Sequence, residues 1–189
     1  MSSSERRLTR AAEPMILEPA EAQAFIAGYQ AILLMLTARP DITSRQGFLA
    51  SLMNGRRLLA QEPSAIEGAL DKLEDKGVHV EPSVEQAIRT LRLGKWIYLR
   101  DTRYYSVFLD SESDSARAVV GLTDRLRDLF GGSGIYVETG VLEYAGHYVC
   151  DGLFRTLASL GPNYRQSFNE SYAAIRDNGR FQRRPEATA

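Results

Sequence analysis

Apolar residues in the first half of the chain recur every three or four positions, the period of amphipathic helices. Prolines, serines and glycines at the edges of these stretches supply start and stop signals. Four helices are therefore predicted, and the face opposite each apolar stripe is mostly charged. The expected bounds are Pro19 to Pro40, Thr43 or Ser44 to about Leu59, Pro63 to Gly77, and Ser83 to Gly94.

From Lys95 onward the pattern changes to short runs rich in aromatic and β-branched residues, which favour strands. Two strands are predicted around a polar turn near Asp101–Thr102, and ARAVVGLT is a third. After a short helix in DRLRDLFGG, two further strands meet at a turn at Ala145–Gly146. The segment GPNYRQSFNESYAAIRDNG is expected to form a last helix, because its aromatic residues recur at helical spacing.

Helices and strands that are segregated along the chain indicate an α+β fold. We expect an N-terminal helical bundle packed on a small antiparallel β-meander or partly open barrel, with a closing C-terminal helix. The expected organisation is a disordered lead-in (1–14), a helical subdomain (15–94), a β-rich subdomain with the closing helix (95–182) and a flexible tail (183–189). A chain of 189 residues is long enough for these parts to form one compact unit.

Composition excludes several classes of protein. Hydrophobic residues make up 44% and charged residues 25%, as in average soluble proteins. One cysteine cannot form an internal disulfide, and no apolar run approaches the ~20 residues of a membrane span. The first residues lack the apolar core of a secretory signal, so a cytoplasmic location is expected. Twenty of the 23 basic residues are arginine, a bias typical of a GC-rich bacterial genome.

The stretch EYAGHYVCDGLF holds the only cysteine and one of two histidines. If it is a regular strand, His147 and Cys150 point to opposite faces, so they do not form a local nucleophile pair. We expect Cys150 to be buried and His147 to lie at a hairpin tip. Asp151–Gly152 signals a turn or bulge, and Asp151 is expected to cap a helix in the following LFRTLASL.

No sequence motif points to a metal, a cofactor or a nucleotide. The chain lacks HExxH and paired cysteines, and Asp110, Glu112 and Asp114 lack the remaining ligands of a calcium loop. FGGSGIY follows a helix and enters a strand, the reverse of a phosphate-binding loop. Neither GxSxG nor SxxK is present, so we expect no cofactor and no metal, and we lean against an enzyme.

Aromatic residues interleaved with arginine distinguish the hairpin WIYLRDTRYY. Alternation puts Ile97 and Leu99 towards the core and leaves the opposite face to a partner. The predicted binding residues are Trp96, Tyr98, Arg100, Arg103 and Tyr104. The competing arrangement covers both faces of the sheet and places Trp96 in a second core.

The leading hypothesis is a non-catalytic bacterial interaction or regulatory protein that binds a macromolecular partner through this aromatic-rich sheet. A protein partner is favoured over nucleic acid, because the net charge of −1 lacks a basic excess. The alternative is an enzyme or small-molecule-binding protein with a pocket near Glu138, His147 and Asp151. Convergence of these three side chains in one cleft would favour the alternative.

Overall fold

The computed structural model describes residues 15–111 and 114–186. The predicted disordered lead-in (1–14) lies outside the described residues, as do the last three residues of the predicted tail. In the described ranges the helices are α1 (Pro19–Leu36), α2 (Arg45–Gln61), α3 (Ala65–Glu74), α4 (Pro82–Arg89), α5 (Leu126–Phe130) and α6 (Pro162–Asp177). The strands are β1 (Arg92–Asp101), β2 (Ser106–Asp110), β3 (Ala116–Val120), β4 (Ile135–Tyr144), β5 (His147–Ser159) and β6 (Phe181–Gln182).

The predicted α+β class is confirmed, and most helix signals act as expected. Pro19 opens α1, and the Ser44 hydroxyl caps α2 by accepting a hydrogen bond from the Gly47 amide at 3.0 Å. Gly131, with φ of 73°, ends α5 in the left-handed conformation that glycine adopts without strain. None of the helices in the described ranges combines the length and apolar character that crossing a bilayer requires.

Two predicted helices are wrong in extent or type because strand pairing overrides local propensity. The fourth helix ends at Arg89, and Gly94 lies in β1 opposite Thr139 of β4. LFRTLASL is not helical, because β5 continues to Ser159 along the whole length of β4. Asp151 therefore caps no helix; it lies inside a strand, where it is 3% exposed.

The sheet is mixed, so the expected antiparallel meander or partly open barrel is confirmed only in part. Strands pair in the order β2-β1-β4-β5-β3-β6, and a further pairing between β2 and β3 closes a ring of strands. β3 lies parallel to both β5 and β6, whereas the remaining pairs are antiparallel. A closed ring leaves few free edges, which limits unpaired backbone groups.

The ring separates three hydrophobic cores. The strands' inner residues, among them Trp96, Tyr98 and Phe108, form one core together with Leu126 and Phe130 of α5. On the outside, helices α1 to α4 cover part of the strands in a larger core, and α6 covers another part through Tyr172 and Ile175. Most strand positions are therefore buried on both faces.

The expected exposure of the Trp96 and Tyr98 face is wrong. Trp96 is 2% exposed and Tyr98 is fully buried, because this face of β1 lies inside the ring. The Tyr98 ring centroid lies 5.6 Å from that of Phe108 and 5.3 Å from that of Phe130. The indole Nε1 donates a hydrogen bond to the Thr139 carbonyl at 3.1 Å. The competing arrangement, with Trp96 in a second core, describes the structure.

Replacing Trp96 with alanine is expected to lower the free energy of unfolding by about 3–5 kcal/mol, because it empties a packed core and leaves the Thr139 carbonyl without its donor. The matched control is Leu49→Ala, since Leu49 is 50% exposed and its truncation should change stability by less than about 0.5 kcal/mol. Urea unfolding of both variants measures the difference. A Trp96→Ala variant as stable as the control would contradict the ring arrangement.

Candidate functional site

A buried ion pair joins the helices to the strands. Arg56 of α2 and Asp151 of β5 approach with Nη1 3.2 Å from Oδ2, and their side chains are 1% and 0% exposed. Arg56 lies on the buried face of α2 together with Leu52 and Leu59. Burying two charges is unfavourable unless they are paired and hydrogen-bonded. The surroundings of the carboxylate meet that requirement.

Backbone and side-chain donors from two strands converge on Asp151 Oδ1. The Leu153 amide lies 3.0 Å away, the Gly140 amide 3.3 Å and the Thr139 hydroxyl 3.2 Å. Thr139 is fully buried, and its hydroxyl also lies 2.8 Å from the Leu153 carbonyl. These contacts hold the carboxylate at a fixed position between the strands.

A bulge in β5 creates this arrangement. Cys150 pairs with Val141 and Phe154 with Thr139, so four steps along β5 match two steps along β4. Gly152 adopts a φ of 79°, which a bulge of this kind requires and which glycine adopts readily. A Cβ atom on Gly140 would lie 2.3 Å from Asp151 Oδ2, so glycine lets the carboxylate approach the β4 backbone. The predicted turn or bulge at Asp151–Gly152 is thus a bulge.

The helical side supplies the remaining donors to the carboxylate. Tyr29 of α1 donates its hydroxyl to Asp151 Oδ2 at 3.0 Å, and Arg56 Nη1 contacts both carboxylate oxygens. Burial raises the pKa of Asp151 above its usual value, and the Arg56 charge and the hydrogen bonds oppose that rise. Burial and the neighbouring carboxylate raise the pKa of Tyr29, so its hydroxyl remains a donor.

A cavity of about 220 Å³ lies between α1, the β3–α5 connection and the β5 bulge. Asp151 and Tyr29 line it, and Gln30, Thr123 and Asp124 supply its other polar side chains. The apolar lining consists mainly of Phe25, Ile26, Leu33, Leu52, Leu122, Leu126, Leu129 and Leu153. This volume exceeds the ~150 Å³ of a protein cavity known to hold benzene. The cavity therefore offers an apolar space beside fixed polar groups.

Cys150 is fully buried as predicted. Burial and the Asp151 charge raise the pKa of its thiol to about 12, and its Sγ lies 3.3 Å from the Thr139 hydroxyl. A thiol with such a pKa holds almost no thiolate at neutral pH, and the thiolate is the reactive form. The geometry therefore gives no support to a cysteine nucleophile.

The structure does not bring Glu138, His147 and Asp151 into one cleft. Glu138 pairs with Arg155 of β5 at 2.9 Å and lines a different cleft. His147 begins β5 directly after the turn at Ala145–Gly146, as predicted for a hairpin tip. Of these three residues, only Asp151 lines the cavity.

The arginines near the β1–β2 hairpin stack on aromatic rings of the same chain. Arg100 lies 5.5 Å from the Tyr172 ring centroid, and Arg103 lies 5.4 Å from that of Tyr104. Inside the ring, Arg117 lies 5.3 Å from the centroid of the Trp96 ring. The burial of Trp96 and Tyr98 removes them from the surface, whereas a partner contact at Arg100, Arg103 and Tyr104 stays a prediction.

Sequence patterns did not single out Arg56 or Tyr29 as members of the site. Tyr29 fits the helical spacing of apolar residues in α1, so the sequence gives it no separate signal. The signal for Arg56 was its position four residues after Leu52 and three before Leu59, which puts it on the apolar face. Leu49, an apolar residue of the same helix, is instead 50% exposed.

No group of three or more potential metal ligands occurs in the described part of the chain. Asp110 and Asp114 flank the loop after β2, and Asp114 lies 3.2 Å from Arg180. Glu112, the third carboxylate of that loop, lies outside the described residues.

The buried thiol leads to a direct chemical prediction. Native protein is expected to react with DTNB at least about a hundredfold more slowly than urea-unfolded protein, because Cys150 is inaccessible and protonated. Since the chain has a single cysteine, the wild-type protein reports on this site alone. Rapid labelling of the folded protein would contradict the described burial.

Comparison with known proteins adds no relative to this description. No protein-family model matches the chain, and no curated protein and no solved structure matches it either. The candidate site is therefore defined by its own geometry: a cavity beside the buried Arg56–Asp151 pair.

Proposed function

We propose that this protein binds a small, neutral and largely apolar molecule in the cavity between α1 and β5, without catalysing a reaction. The observation that carries the proposal is the cavity itself, an apolar space of about 220 Å³ with Asp151 and Tyr29 in its wall. Binding sites of this kind combine an apolar lining with a few fixed polar groups. The proposal keeps Asp151 from the small-molecule alternative, and Tyr29 takes the place of Glu138 and His147 in the wall of the pocket.

Charge supports a neutral ligand. Asp151 already has Arg56 as a partner, and Asp124 adds a second carboxylate to the lining. No lysine or arginine is among the described residues that line the cavity. An anionic ligand would lie near the Asp124 carboxylate without a lysine or arginine in the described lining to balance it, which disfavours its binding.

The chemistry of the lining supports binding without catalysis. Burial holds Cys150 in its protonated form, and Tyr29 keeps its proton for the same reason. Four groups donate hydrogen bonds to Asp151, contributed by Tyr29, Arg56, Gly140 and Leu153. A carboxylate so fully hydrogen-bonded is a poor general base, because its acceptor sites are occupied.

Partner binding through the aromatic hairpin was the leading hypothesis from the sequence. Two of its five predicted contact residues, Trp96 and Tyr98, are buried inside the ring. The cavity therefore has more support in the described geometry than the hairpin surface does.

A tryptophan placed in the cavity should block the ligand. Ile26 lines the cavity from α1 and is partly exposed, so Ile26→Trp fills the space with little strain. The matched control is Ala27→Trp, which puts the same side chain at the next, exposed position of α1 outside the cavity lining. We expect Ile26→Trp to weaken binding of toluene or indole by about tenfold or more and Ala27→Trp to leave it unchanged.

Calorimetry and ligand-induced shifts in the melting temperature measure this difference. Both variants must first show wild-type unfolding behaviour in the absence of ligand. Equal binding by the two variants, or no saturable binding of neutral apolar probes by the wild type, would contradict the proposed function.

A further inference from the structure

The guanidinium of Arg56 has donors that the ion pair does not use. Its Nη1 contacts Asp151 and also donates to the Leu153 carbonyl. Its Nη2 has the Met53 thioether sulfur at 3.3 Å, and its Nε has no hydrogen-bond partner within the described chain. Sulfur is a weak acceptor, and a buried donor without a partner is unfavourable. The Nε and Nη2 edge of this buried guanidinium therefore has only one weak acceptor within the described chain.

Arg56 also lines a second cleft, distinct from the cavity of the proposed function. The cleft measures about 280 Å³ and lies between α2 and strands β1 and β4. Arg56 lines it together with Met53, the residue that contacts Nη2. The Arg56 guanidinium thus contacts Asp151 through Nη1 and, through Nη2, the Met53 side chain that shares the lining of this cleft.

We propose that this cleft binds a small organic carboxylate through the Nε and Nη2 edge of Arg56. The Nε–H and one Nη2–H of a guanidinium are parallel and match the two oxygens of a carboxylate. Met53 is half-buried, and its flexible side chain can turn aside to admit the ligand. The bound carboxylate would supply the acceptor that Nε lacks.

Charge in the cleft favours a singly charged anion. Arg57 lines the cleft and is exposed, and its hydrogen bonds go to two neutral amides, those of Asn54 and Gln61. Glu138 also lines the cleft, and Arg155 pairs with it at 2.9 Å. The Glu138 carboxylate disfavours a dianion such as phosphate more strongly than it disfavours a monoanion.

The size and lining of the cleft restrict the rest of the ligand. Met53 and Leu93 give the cleft an apolar part, which suits a hydrocarbon body beside the carboxylate. A volume of about 280 Å³ corresponds to roughly nine groups of the size of a water molecule. Benzoate, a planar carboxylate with a compact apolar ring, is therefore a suitable probe.

The test follows the Arg56 Nε–H resonance of the full-length, isotopically labelled protein by NMR during titration with benzoate. Benzamide is the matched neutral ligand, because it has the same shape without the charge. We expect saturable benzoate binding at millimolar concentration, with the largest shifts at Arg56 Nε–H and at Asn54. Benzamide should bind at least about tenfold more weakly, because it lacks the charge-assisted fork.

Two arginine variants on the same helix provide the protein control. Arg57→Gln removes the second charge of the cleft and should weaken benzoate binding by about threefold or more. Arg45→Gln removes an exposed arginine at the other end of α2, outside the cleft lining, and should have no effect. The Arg56→Lys variant should lose benzoate binding, provided that the variant folds. If the variant does not fold, the comparison of Arg57→Gln with Arg45→Gln still tests whether benzoate binds in the cleft.

Three outcomes would overturn the inference: no saturable benzoate binding, equal binding of benzamide at this cleft, or equal effects of the Arg57→Gln and Arg45→Gln variants. The first would mean that Nε has only a water molecule as its partner. Shifts confined to cavity residues such as Ile26 and Leu129 would report the proposed apolar site instead. Each site can therefore succeed or fail without the other.

Discussion

The buried pair of Arg56 and Asp151 is the interaction on which the arrangement of this fold depends. The two residues lie 95 positions apart, one on a helix and one on a strand. Removing one partner from a pair buried to this extent leaves an uncompensated charge and costs about 3–5 kcal/mol. The pair therefore fixes where α2 lies against β5 more sharply than apolar packing alone would, since packing tolerates small shifts.

The same pair organises the spaces around it. The bulge in β5 turns the Asp151 carboxylate towards the helices, and Tyr29 on α1 donates to it at 3.0 Å. Each member of the pair lines a different space: Asp151 lines the cavity and Arg56 lines the cleft. Close approaches also require glycine: a Cβ atom on Gly55 would lie 2.1 Å from the Leu33 carbonyl oxygen where α1 crosses α2.

Local signals in the sequence predicted the α+β class, most helix starts and the Ala145–Gly146 turn, because these depend on capping and periodicity within a few residues. The closure of the ring could not be predicted in this way. β1 pairs with β4, and β3 pairs with β5, across long separations in sequence. The local pattern of the last residues of β5 predicts a helix, although these residues pair with β4. The predicted exposure of Trp96 is wrong for the same reason, because closure of the ring is what covers this face of β1.

The candidate site was predictable in part. Asp151 stood out as a carboxylate at the end of an apolar strand, and Gly152 indicated a bulge. Its partner Arg56 is one of 20 arginines, and its position on the apolar face of α2 is a weak signal, because the three-dimensional structure is needed to show which arginines are buried. Glu138 and His147 lie near Asp151 in the sequence. In the structure, however, Glu138 forms an ion pair with Arg155, and His147 begins β5 directly after the turn.

A double-mutant cycle on the ion pair tests the central claim most directly. The cycle compares the urea-unfolding free energies of Arg56→Met, Asp151→Leu and the double variant with that of the wild type. We predict that each single change lowers the free energy of unfolding by about 3–5 kcal/mol. The loss in the double variant should be smaller than the sum of the two single losses by about 2 kcal/mol or more. Losses that add to within about 0.5 kcal/mol would show that the two residues do not act as a pair and would contradict the account.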